Sequence, residues 1–143
     1  MEPEAMAAWL QCWPGWKQGT KLYVDHTDTV PGNCGLFPGG AEEVSRKTDV
    51  LGNVTVLCRE RFTLYCTAGE TEDGRENTLW VHELQSWIVQ QSIRGLAPVF
   101  GDDPRRSVIR AEKGRLHKPR QTGCTLYAVD ITAEFIKYYE VNE

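Results

Sequence analysis

The sequence predicts an α+β domain: an antiparallel or mixed sheet of four to five strands, one long helix packed on a face, and a short N-terminal helix. Three observations carry this reading. Residues 54–66 and 125–135 alternate apolar and polar side chains, the period of a half-buried strand. Residues 80–91 instead repeat apolar residues at spacings of three and four, the period of an amphipathic helix.

Length and composition fit a single domain over 1–143. A chain of 143 residues buries roughly two thirds of its unfolded surface on folding. A hydrophobic content of 41% and five Trp argue against disorder. No apolar run approaches the roughly 20 residues of a membrane span. The opening Met1-Glu2-Pro3-Glu4 is acidic and no cleavage site follows an apolar stretch, so no signal peptide is read and the cytoplasm is expected. Cys12, Cys34, Cys58, Cys66 and Cys124 are odd in number and widely spaced, without Cys-x-x-Cys. Buried hydrophobes in a reducing compartment are the expectation for them.

The elements follow in order. Met6, Trp9, Leu10 and Trp13 share one side of a short helix over 4–13, which Pro14-Gly15 ends. Leu22 and Val24 mark a short strand within 21–25, and residues 34–37 a second one. Residues 38–53 are polar and contain glycine, which predicts a mobile loop. Next comes the strand over 54–66, in which Glu60 interrupts the apolar row and suggests a bulge or an uncovered edge. Asp73-Gly74-Arg75-Glu76 reads as a capping box opening a helix over 73–94. Trp80, Leu84, Trp87, Ile88 and Gln91 form its stripe, with both Trp expected against the sheet, and Gly95 ends it. The strand over 124–136 is long enough to extend beyond a sheet and meet another subunit.

Between the last helix and the last strand lies a concentration of positive charge. Arg105, Arg106, Arg110, Lys113, Arg115, Lys118 and Arg120 stand against one acid, Glu112, a net of +6 in a chain of net −4, which leaves −10 for the rest. The segment begins with strand-like alternation over 108–112, and Gly114, Pro119 and Gly123 predict a turn or loop thereafter. It is either a presented interface or a solvated charged stretch. With no Phe, Tyr or Trp between Arg105 and Arg120, the segment itself offers no stacking platform for single strands.

The residues give little support to catalysis. His26, His82 and His117 fall in no metal-binding spacing, and neither a Gly-x-Ser-x-Gly elbow nor a phosphate loop occurs. His26 lies between Asp25 and Asp28, a pattern common in turns. Cys12 sits near a helix C-terminus, where the dipole disfavours a thiolate. No catalytic, cofactor-binding or metal-ligating residues are therefore assigned.

Two stretches carry a resemblance. Thr78-Leu79-Trp80-Val81-His82-Glu83-Leu84-Gln85-Ser86-Trp87-Ile88-Val89-Gln90-Gln91 leads into Gly95-Leu96-Ala97-Pro98, and Thr125 to Tyr139 ends in an aromatic pair. With the Cys58–Cys66 strand, they resemble the small prophage-encoded minor structural proteins of siphophages that infect Gram-positive bacteria. The resemblance covers roughly residues 54–139. It implies a tail terminator, or tail-completion protein: a small α+β subunit that assembles as a ring, commonly a hexamer, at the head-proximal end of the tail. Its implied partners are further copies of itself, the tail-tube protein and the head connector, with DNA passing the lumen without sequence readout. Its implied place is the virion, reached from the bacterial cytoplasm. The basic segment is the candidate contact surface, since a ring needs two different surfaces that fit each other. Another head–tail joining, neck or tail-tube protein, a small enzyme or ligand-binding domain using the sheet's open face, and a DNA-binding accessory protein remain as alternatives.

Overall fold

The computed structural model describes residues 2–16, 19–26, 30–69, 75–121 and 124–141, the side chains at 2, 118–121 and 124 excepted. Its elements are α1 (Glu2–Leu10), β1 (Leu22–Val24), β2 (Cys34–Thr48), β3 (Val54–Gly69), α2 (Arg75–Ile93), β4 (Val108–Gln121) and β5 (Cys124–Tyr139). A single 3₁₀ turn at Pro104–Arg106 precedes β4. The five strands make one mixed sheet in the order β1-β2-β3-β5-β4, in which only β1 and β2 run parallel. The predicted α+β class, with a short and a long helix, is what the chain adopts.

Both helices lie on one face. Phe62, Leu64 and Cys66 of β3 stand opposite Ile131, Val129 and Tyr127 of β5, and all are buried. Ile109 and Ala111 of β4 and Leu36 of β2 continue that layer. Above it α2 sets Val81, Leu84 and Ile88, and α1 sets Met6 and Leu10, all essentially inaccessible to solvent. The α2 helix lies chiefly against β4, and α1 against β1 and β2. At the end of α2, Gly95 takes φ +74 and the Leu96 N–H reaches the Gln91 carbonyl at 2.9 Å, the expected glycine stop. Asp73 and Gly74 of the expected Asp73–Glu76 capping box lie outside the described residues.

Four expectations are corrected. Residues 38–48 are strand, not loop: β2 runs on to Thr48, and only 49–53 turn. Those residues are exposed on both faces, so no alternation betrays them, and pairing with β3 holds them. The later basic segment is also strand, since β4 continues to Gln121. It lies at the sheet edge, where Pro and Gly are tolerated. The bulge suggested at Glu60 belongs to the opposing strand, whose register slips between Pro38 and Ala41, with Ala41 facing Glu60. Finally, Trp80 and Trp87 do not form the sheet-facing line of α2, which is Val81, Leu84 and Ile88. The two Trp turn toward α1. Trp87 stacks on Trp9 at 5.3 Å, and Trp80 meets Trp13 and Trp16 at 5.9 and 5.6 Å. All five Trp thus weld the seam between the helices.

Candidate functional site

The basic residues do not form one patch. Arg105 and Arg106 sit in the 3₁₀ turn, capped by Asp103, whose carboxylate accepts from the Arg105 N–H at 3.1 Å. Arg110 and Arg115 project from β4 onto the helix-free face of the sheet. There Arg110 donates to Glu134 at 2.8 Å and Arg115 lies 3.2 Å from Asp130. Glu134 also receives Arg59 at 3.3 Å, and Glu42 of β2 lies 3.1 Å from Arg61 and 3.6 Å from Arg59. A ladder of alternating charge therefore crosses the sheet from β2 to β4. Lys113 takes φ +57 at a break in register between Glu112 and Arg115, and its carbonyl accepts from Arg115. The side chains of Lys118 and Arg120 lie outside the described residues. Among the described side chains the cations thus divide into Arg105 and Arg106 in a capped turn, the paired Arg110 and Arg115, and Lys113 at a register break.

The same face carries an aromatic row that sequence reasoning missed. Phe37 of β2 meets Tyr65 of β3 edge-on at 5.3 Å, and Tyr65 meets His117 of β4 at 4.9 Å. Their sequence separations hide the row; only the strand order reveals it.

Two further features lie outside the helix-covered core. The first is the β2–β3 ribbon. From Gly39 to Leu51 every residue is exposed, and β3, at 16 residues, is about 53 Å long against about 28 Å for α2. The ribbon ends in Val50 and Leu51, 102% and 75% exposed. The second is an open trough of about 350 Å³ on the outward side of α2, lined by Leu79, His82, Glu83, Ser86, Trp87 and Gln90.

The thiols are structural in their surroundings. Cys34 and Cys66 are buried thiols directly opposed across β2 and β3. Burial, and then the neighbouring Cys34 sulfur, hold the Cys66 thiol well above its ordinary pKa of 9.0, so it stays protonated near neutral pH. Burial also raises Cys58. The Tyr138 phenol is raised by desolvation and by its 3.2 Å bond to Asp103. Among the described residues no group of His, Cys, Asp and Glu could hold a metal ion, and no helix is long and apolar enough to cross a membrane. No family model matches the chain, and no curated protein matches it.

Proposed function

We propose that the chain is a virion structural protein of the tail-terminator type, which forms a ring, commonly of six copies, at the head-proximal end of a phage tail. It joins the tail tube to the head connector and performs no chemistry; it acts in the host cytoplasm during assembly and stays in the virion. The resemblance of α2 and β5 to such proteins motivates the reading. The observation that carries it is the distal half of β2 with its turn, exposed from Gly39 to Leu51, ending in aliphatic side chains and lying on the open side of a β3 strand that β5 pairs on the other side. Such an exposed edge and tip suit a head-to-tail contact. Light scattering of the purified chain should give an assembly of one defined size, and phage lacking the protein should make tails of irregular length. A chain that stays monomeric and whose loss leaves tails normal sinks the proposal.

The aromatic row Phe37–Tyr65–His117 favours a second reading, a ligand-binding domain using the open sheet face. Tyr65→Ala abolishing saturable binding of a flat aromatic or nucleobase probe to a monomer would favour it.

A further inference from the structure

A closed ring needs a surface on one subunit that fits a different surface on the next. Resting on the ring reading above, we infer that the Val50–Leu51 tip of the ribbon docks into the Leu79–Trp87 trough on α2 of a second copy of this chain.

The tip is built, not slack. Asp49 Oδ1 accepts from the N–H groups of Leu51 and Asn53 at 2.9 and 3.0 Å. The Asp49 N–H reaches the Asn53 carbonyl at 3.0 Å, and the Gly52 N–H returns to the Asp49 carbonyl at 3.1 Å. Gly52 takes φ +89, a conformation that L side chains rarely adopt. Behind it, the Val141 N–H donates to Asn53 Oδ1 at 3.2 Å, anchoring the turn beside the end of β5. A turn needs only polar residues here. Two adjacent large aliphatic side chains held outward by hydrogen bonds are instead a preorganised knob.

The trough is a matching hole. Leu79, 60% exposed, and the half-buried Trp87 ring supply an apolar floor, and Glu83, His82 and Gln90 a polar rim. Its floor is rigid, because Trp87 stacks on Trp9 and His82 Nε2 lies 3.1 Å from the Gly114 carbonyl. An apolar centre inside a polar rim is the anatomy of a protein contact. The charges complement each other too: Lys47 stands just behind the knob, next to an Arg46 already paired with Glu43, and Glu83 stands on the rim with Glu76 further along the same helix. Knob and hole occupy different parts of the molecule, so each copy uses both and the chain of contacts can close.

The test uses the full chain and sedimentation velocity over a range of concentrations. Leu51→Asp and Leu79→Lys change exposed side chains and should leave the melting temperature within a few degrees of the parent. Each alone should weaken self-association at least about tenfold. Mixing the two variants should restore the large species. One contact then joins an intact tip to an intact trough, and the next pairs the new Asp with the new Lys. If the parent assembles and Leu51→Asp assembles equally well, the docking is wrong while the ring survives. If Leu51→Asp makes normal rings that no longer attach to tails, the tip serves a different protein and the docking is again wrong. A parent that is monomeric at every concentration removes the ring itself, and the docking with it.

Discussion

Gln85 Oε1 accepts a 2.7 Å hydrogen bond from the Gly114 N–H, tying the middle of α2 to the edge strand β4. Two neighbours do the same work. Ser92 Oγ accepts from the Ile109 N–H at 3.2 Å, and His82 Nε2 meets the Gly114 carbonyl. The helix thereby occupies outward-pointing backbone groups of an edge that would otherwise invite strand pairing.

Gln85→Ala should therefore leave the Gly114 N–H without its acceptor and cost about 1–2 kcal/mol in urea unfolding. Gly114→Ala should cost about 1–3 kcal/mol, because a Cβ there would stand 2.7 Å from Gln85 Oε1 and 3.1 Å from Val81 Cγ1. If both variants unfold with the parental midpoint, α2 does not hold this edge.

The Trp seam makes a separate prediction. Trp87→Ala should cost about 3 kcal/mol, and a double-mutant cycle with Trp9→Ala should give about 1 kcal/mol of coupling. Trp9 Nε1 is buried with no hydrogen-bond partner among the described residues. Trp9→Phe should accordingly cost less than its lost volume suggests, since it removes a desolvated donor. A Trp9→Phe penalty equal to that of Trp9→Ala would refute this.

Charge reversal on β4 should be felt in folding as well as in assembly. Glu134 serves both Arg59 and Arg110 and its side chain is only 22% exposed, so Glu134→Gln should cost about 1 kcal/mol, less at high salt. Arg110→Glu would face that carboxylate and lower the melting temperature. Arg105→Glu and Arg106→Glu, in the exposed 3₁₀ turn, should not, which makes them the cleaner probes of assembly. Equal melting temperatures for Arg110→Glu and Arg105→Glu would show that the ladder contributes nothing.

Thiol chemistry should separate the cysteines. Exposed Cys12 should alkylate fast in the native protein, and Cys34 and Cys66 only on unfolding. Because folding raises the Cys66 pKa, its contribution to stability is complete below the ordinary value of 9.0 and is lost as pH rises toward the folded value. The midpoint of urea unfolding should thus fall above about pH 9, and Cys66→Ser, which has no such titration, should flatten that part of the profile. A slope unchanged by the substitution would assign the alkaline loss to other groups.

The elements legible in the sequence were those with one wet and one dry side. The β3 and β5 strands and α2 each sort apolar residues by period, and each was found within a few residues. The distal half of β2 has no dry side, so Pro38 to Thr48 read as loop. Gly114 and Pro119 looked like breakers in β4, yet Gly114 is there because Gln85 approaches too closely for a Cβ. The α2 stripe had Leu84 and Ile88 in place but took in Trp80 and Trp87 and omitted Val81, because a helix that meets both a sheet and another helix has two apolar lines. The basic run was visible, but its carboxylate partners on β5 were not. Nor was the Phe37–Tyr65–His117 row, which exists only once four strands, β2, β3, β5 and β4, are side by side.

The strand order has a further consequence, for the newborn chain. β5 is made after the other four strands of this sheet, yet it inserts between β3 and β4 and pairs with both. Its ladder to β3 joins residues 54–69 to 124–139, across all of α2 and β4. The β2–β3 and β4–β5 pairs can each zip early, since Thr48 and Val54, and Gln121 and Cys124, are close in sequence. Joining β3 to β5 waits for a closure over more than fifty residues, which costs entropy before it returns any contact. Until then the inner edge of β3, with Phe62, Leu64 and Cys66 uncovered beside it, stands open to any other strand in the cell.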